Sequence, residues 1–229
     1  MTFLKYIIRY PIKGLNGEFM NTANLHPGST ISGDRKYAFA KFENDICEKS
    51  LIYMKKTNFL ALVKEEKLSL LKPQINLKTN FLKLIYKDKE IFNGFLNNNN
   101  DIKNDNKHSF SDIPDKALSF INLNSVNDFE VKIKKEVNYS RFRGNLILSG
   151  IKAWEEFNWL GKIISIGDVK FEIFRKTKRC AATNVNPKTG LRDLNIPNQL
   201  QKIYGHYDLG VYGRVLNKGT IKINDEVKF

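Results

Sequence analysis

The feature that most constrains this chain is a succession of short apolar segments with alternating or nearly alternating patterns. In the first half they read "FLKYIIRY", "RKYAFAKF", "FLALVKE", "KLSLLKP" and "FLKLIYKDKEIF". Each is rich in β-branched and aromatic residues, and a period of two puts the apolar side chains on one face of an extended strand. A β-rich N-terminal half follows. Further on, "GNLILSG" and "VKFEIFRK" read as buried strands, and "ALSFINL" as a strand followed by a short helix from "SVNDF" with Ser125 as its N-cap. "NIPNQLQKIYG" carries the best helix signature, Pro197 at its start and Gly205 at its end. The closing "GVYGRVLNKGTIKINDEVKF" reads as two strands around an "NKG" turn. No fixed-period repeat is present, which excludes a solenoid or propeller. The predicted class is mostly β with a few helices.

One stretch interrupts this pattern. Residues 97–107, "NNNNDIKNDNK", hold no apolar residue except Ile102 and cannot bury enough surface to order themselves. They predict a long polar loop between a first unit at 1–96 and a second at 108–229. With 229 residues, the chain is long enough for one domain or two small ones.

No apolar run approaches the roughly 18 residues needed to span a bilayer. The N-terminal "MTFLKYIIRYPIKG" is interrupted by Lys5 and Arg9, so a first strand is expected there instead of a signal peptide. Cys47 and Cys180 are too few for a disulfide framework or an all-thiolate cluster, and a reducing cytoplasm is the expected setting. The net charge of +14 suggests phosphate partners. However, 30 of the 38 basic residues are lysines spread along the whole chain, which indicates compositional bias and argues against a nucleic-acid face. The eight arginines are more selective markers, because a planar guanidinium fork is not interchangeable with an ammonium.

Four stretches of the sequence could carry chemistry. Cys180 follows "RKTKR", a run of cations that favours thiolate over thiol; a thiolate can be a nucleophile, a redox group or a soft-metal ligand. The plain alternative is a small buried apolar residue at a strand end. No histidine lies close enough in sequence to support a Cys-His pair. "PIKG" and "GDRKY" each place a cation, Lys13 or Arg35, beside a glycine, where main-chain N–H groups and a side-chain charge can converge on an anion; a solvated side chain is the competing reading. In "SRFRGNL", an extended strand would put Arg141, Arg143 and Asn145 on one face, suited to a phosphate or heterocycle or else to surface ion pairs.

Taken in order, "YPIKG", "GDRKYAF", "RFRGNLILSG", "WEEFNWLGKIISIGD", "RCAATNVNPKTG" and "GVYGRVLNKGTIKINDEV" resemble the MOSC family, with the first two similar to its accompanying N-terminal β-barrel domain. The arrangement is most similar to the amidoxime-reducing members. The resemblance implies a MOSC β-barrel fold plus an N-terminal barrel-like domain, and a molybdenum cofactor (Mo-molybdopterin). In that picture Cys180 is the protein's metal ligand and catalytic centre. Lys13, Gly14 and Arg35 hold the cofactor's phosphate, Arg143 and Asn145 contact its pterin, and Arg141, Lys178 and Arg179 complete the binding set. It implies an oxidoreductase acting on small N-oxygenated substrates, with electrons from a separate flavin reductase or small electron carrier. A non-catalytic pterin- or sulfur-carrying module using Cys180 is the alternative. The sequence departs from the family pattern at Gly14 (often serine), Gly144 (proline), Phe157 (aspartate) and Lys178 (a small residue).

Overall fold

The computed structural model describes residues 1–39, 59–96, 102–104, 113 and 115–229. Cys47 lies outside them. The first strands are β1 (Phe3–Arg9), β2 (Glu18–Met20), β3 (Thr22–Leu25) and β4 (Tyr37–Phe39). They are followed by β5 (Leu71–Asn76), β6 (Phe81–Tyr86), β7 (Lys89–Phe95) and β8 (Ile102–Asn104). Strand β9 (Leu118–Asn122) leads directly into helix α1 (Leu123–Ile133), then come β10 (Leu146–Ser149), β11 (Ile163–Ile166) and β12 (Val169–Lys178). Helix α2 (Ile196–Tyr204) precedes β13 (Asp208–Val215), β14 (Gly219–Lys222) and β15 (Val227–Lys228).

Eight strands form one sheet in the order β15-β11-β12-β13-β9-β10-β1-β2. Its two sides curl toward each other. Near the β15 end, residues 224–227 bond to the start of β1: Leu4 N–H donates to the Asp225 carbonyl at 2.9 Å, and Val227 N–H to that of Thr2 at 2.9 Å. The mostly β, barrel-like expectation is met. The sheet is built from chain on both sides of residues 97–107, because β1 pairs with β10 and β3 pairs with β14. Between them, β5-β6-β7 form a separate meander over a second core that includes Ile12, Leu15, Tyr37 and Leu82.

Alternation along the central strands explains their near-continuous apolar sequences. Leu146 and Leu148 enter the barrel core beside Phe120, while Ile147 and Ile121 face the other way, under α1 and α2. A strand buried on both faces needs apolar residues at every position, and each large side chain fully buried contributes about 1.5–3 kcal/mol. Helix α1 is the crossover that lets β9 and β10 run parallel.

Several expectations are corrected. "FLALVKE" forms a turn, and the strand expected from "KLSLLKP" is preceded by a 3-10 turn at Glu66–Leu70. The N-cap of α1 is Asn122, whose side chain accepts from Asn124 N–H at 3.0 Å. Ser125 is fully buried instead, donating to Glu156 at 2.9 Å and accepting from Trp154 N–H at 2.7 Å. The strands flanking "NKG" do not pair with each other: β13 lies between β12 and β9, and β14 joins β3. Within the polar tract, Ile102–Asn104 forms a strand paired with β4. The tract is therefore not all loop, since backbone pairing requires no apolar side chain.

Candidate functional site

A cleft of about 400 Å³ opens where β12 ends, beside the turn between α1 and β10. Arg35, Arg141, Arg143 and Arg179 line it, joined by Arg175, Lys176 and Lys178 from β12, and Cys180 closes the row. No carboxylate lines it among the described residues. Five of the chain's eight arginines thus converge on one place. The carboxylates that partner them stand behind. Asp34 pairs with Arg35, Asp193 with Arg141 at 2.7 Å, and Asp115 with Arg175 at 3.5 Å.

The "SRFRGNL" row is not an extended strand. Asn138 accepts from Ser140 N–H at 2.9 Å and starts a 3-10 turn over Tyr139–Phe142, after which Arg143 takes a left-handed backbone with φ 51. The turn sends the two guanidiniums apart. Arg141, 5% exposed, reaches Asp193 and donates to the Asn184 carbonyl at 3.1 Å, leaving its Nε buried without a partner among the described residues. Arg143 lies 4.4 Å from the centre of the Tyr10 ring and donates to the Leu15 carbonyl at 2.5 Å.

Arg35 also has a left-handed backbone, with φ 49. Its guanidinium meets Asp34, the Arg143 carbonyl at 3.2 Å and Asn145 Oδ1 at 3.4 Å. Two non-glycine residues held in that region at one cleft represent local strain of about 1–3 kcal/mol each, tolerated where the surroundings over-determine them. Here the surroundings are the buried pair Asp34 and Asn145. Asp34 accepts from Tyr10 N–H at 2.7 Å and from the Asn145 amide at 3.1 Å. Burial pushes the Tyr10 phenol up to about 12, against the lowering effect of Arg143 and Arg35, so this ring stays neutral as a platform for both cations.

Three residues of the proposed set do not line the cleft. Asn145 is 1% exposed and acts as a backbone tie, donating to the Ile8 carbonyl and accepting from Ser119 N–H. Lys13 is buried and Gly14, with φ +87, lies beside Leu68. The main-chain N–H groups of Lys13 and Arg35 are already used, donating to the Tyr37 and Tyr10 carbonyls. The expected main-chain anion nest is therefore not formed by those two groups. A Cβ at Gly14 would stand 3.1 Å from Leu68 Cδ1 on a left-handed backbone, which accounts for glycine where relatives often have serine. Similarly, a Cβ at Gly144 would collide with Ile121 Cγ1.

Cys180 is exposed and caps the 3-10 turn Ala181–Asn184, its carbonyl accepting from Thr183 N–H at 3.0 Å and Oγ1 at 2.8 Å. Preceding it, Arg179 is buried and spends its fork on main chain, with Nη1 to Phe142 at 2.8 Å and Nε to Leu209 at 2.8 Å. Gly210, with φ +77, permits this. A Cβ there would collide with the Phe120 carbonyl and come within 3.2 Å of Arg179 Nη2.

Sequence reasoning missed Arg192. It donates to the Ala181 carbonyl at 3.1 Å, to Glu66 at 2.5 Å and to the Val63 carbonyl at 2.7 Å, clamping the Cys180 turn to the smaller unit. It also missed Arg175 and Lys176 as cleft residues, although both stand in the cation run before Cys180. Ser119 Oγ, Thr177 Oγ1 and Arg141 Nε are buried polar atoms without partners among the described residues, and all three residues line the cleft. A cation-lined cleft with an exposed thiol and unmet polar groups matches an anionic, heteroatom-rich molecule with a soft metal at one end. The residues present fit the cofactor that the resemblance implies.

The sequence is 30% identical to mitochondrial amidoxime reducing component 2 of Rattus norvegicus over 122 residues, 48% of this chain and 36% of that protein. It is 29% identical to molybdenum cofactor sulfurase of Drosophila ananassae over 101 residues, 44% of this chain and 13% of that protein. The chain thus spans about a third or less of the length of these relatives. Among solved structures, YiiM from Geobacillus stearothermophilus is similar, with a TM-score of 0.38 and 22% identity over 48% of this chain and 52% of that one. Residues 105–228, more than half of the chain, match the MOSC domain. The chain belongs to the MOSC domain family.

Proposed function

We propose that the cleft binds a molybdenum cofactor with Cys180 as the protein's metal ligand, and that the holoprotein reduces small N-oxygenated compounds. The observation that supports this most directly is the placement of an exposed thiol at the end of a cleft lined, among the described residues, by seven cations and no carboxylate. The names of the relatives, an amidoxime reducing component and a molybdenum cofactor sulfurase, point the same way.

In this reading Arg35 and Arg143 hold the anionic part of the cofactor on one wall, with Tyr10 behind them. Lys13, Gly14 and Asn145 support that wall from behind. Arg179 fixes the backbone that presents Cys180, and Arg141 fixes the opposite lip. Lys178, whose ammonium lies 5.3 Å from the centre of the Tyr207 ring, adds charge at the mouth. When bound, the cofactor supplies the two-electron chemistry and the protein supplies position and charge. Reduction of an N–OH bond consumes two electrons and two protons, breaks N–O and releases water. The electrons come from a separate flavin reductase or small electron carrier in a reducing cytoplasm. No helix among the described residues is long and apolar enough to cross a membrane.

Protein produced in a host that makes the cofactor should carry about one molybdenum and one pterin per chain, and should reduce benzamidoxime with a chemically reduced viologen as donor. Metal-free protein from such a host, or a persulfide on Cys180 with no pterin, would overturn this reading.

A further inference from the structure

Cys180 stands at the start of a turn whose carbonyls are held by arginines from outside it. The Asn184 carbonyl accepts from Arg141 Nη1 at 3.1 Å, and the Ala181 carbonyl from Arg192 Nη1 at 3.1 Å. Helical ends leave carbonyls without internal partners, so donors of this kind decide where such a turn sits. Arg141 lines the cleft, whereas Arg192 does not. The rest of the Arg192 fork is spent on the smaller unit: Nε donates to Glu66 at 2.5 Å, and Nη2 to the Leu62 and Val63 carbonyls at 3.2 and 2.7 Å. One planar group thus joins three segments, which an ammonium cannot do from a single point.

Other contacts seat the same piece of chain in the same place. Val185, at the end of the Cys180 turn, forms an antiparallel bridge with Arg192, so turn and clamp are joined by main chain as well. Ala182 packs against the core of Leu62, Leu68 and Leu82. Gly190 takes φ +70, and a Cβ there would stand 3.0 Å from Leu70 Cδ1, so this loop lies close against the 3-10 turn Glu66–Leu70.

We propose that Arg192 is a positioning residue for Cys180, and that residues 62–66 act through it as part of the site. They fix the turn that presents the thiol without lining the cleft. The catalytic consequence rests on the reading of Cys180 as the metal ligand; the hold on the turn belongs to the chain itself.

The test uses the full chain in two states. On metal-free protein, hydrogen exchange read by NMR follows the Thr183 amide, which donates to the Cys180 carbonyl at 3.0 Å. Arg192→Ala is expected to speed that exchange by about tenfold, the scale of one lost charge-assisted bond. Arg192→Lys keeps the charge without the fork and should recover little of the protection. Unchanged exchange in Arg192→Ala, full recovery in Arg192→Lys, or an equal rise across β9 and β10 would each overturn the proposal, the last by showing general destabilisation. Should Arg192→Ala not fold, Glu66→Gln removes the ion pair alone and should move Thr183 the same way by about threefold, and no movement would count against the clamp. On molybdenum-loaded protein, Arg192→Lys should lower kcat for benzamidoxime by about tenfold while KM stays within about twofold. An unchanged kcat would end the catalytic role. A wild type that binds no molybdenum defeats the cofactor reading alone, and the exchange comparison still decides whether Arg192 holds the turn.

Discussion

The Asn145 amide donates to the Asp34 carboxylate at 3.1 Å, joining residues 111 positions apart. Through that bond the loop carrying Arg35 is tied to the strand entry after Arg143. Both partners are buried, and Asn145 also serves the Ile8 carbonyl and the Ser119 N–H.

Asn145→Ala therefore strands several buried polar groups and should cost about 2–4 kcal/mol of unfolding free energy. Urea denaturation reads this directly. A cost below about 1 kcal/mol would mean that the tie is not what holds the Arg35 wall.

Arg179→Lys should fail to replace the fork. One ammonium cannot meet the Phe142 and Leu209 carbonyls from the positions the guanidinium occupies, and a loss of about 2 kcal/mol is expected. The thermal midpoint measured on both proteins checks it; a variant as stable as wild type would show that main-chain bonding by Arg179 is dispensable.

Gly144→Ala should destabilise by about 1–3 kcal/mol, because its Cβ would run into Ile121 Cγ1. Ile121→Ala opens that space, so the double variant should be more stable than the two separate losses predict. A double-mutant cycle with no coupling would refute the clash.

Much of the strand framework was legible because its segments are short and β-branched, and α2 because Pro197 and the left-handed Gly205 bracket it. The errors share a cause. "SRFRGNL" has strand-like spacing, but Asn138 caps a turn one step earlier, and that local side-chain bond outweighs the alternation. The "NKG" strands diverge because β14 finds its partner in β3, nearly two hundred residues away, which no local pattern reveals. In the site, the arginines singled out in a lysine-rich chain do converge, Arg35, Arg141, Arg143 and Arg179 lining one cleft. Lys13, Gly14 and Asn145 were marked by motif, whereas none of the three lines the cleft. Arg175 and Lys176 were marked only as part of the cation run before Cys180, since which of those cations reach a cleft is decided by tertiary packing and leaves no local signal.

Glu156 gives the fold a pH dependence. Burial raises its carboxyl above the usual glutamate range, opposed by the Asn122 and Ser125 donors, and its second oxygen has no partner among the described residues. A raised native pKa favours folding fully below the unfolded value, and that contribution is lost as pH rises through the native value. Wild-type stability should decline across that interval, while Glu156→Gln should show a flatter profile. Parallel curves for the two proteins from about pH 4 to about pH 9 would show that Glu156 does not titrate with folding.

The central claim, that Cys180 binds the metal of a cofactor held in the cation-lined cleft, is tested most directly by molybdenum K-edge X-ray absorption on the holoprotein and on Cys180→Ser. The wild type should show one more sulfur in the molybdenum coordination shell than the variant does. The same sulfur count in both, at equal molybdenum loading, would contradict it.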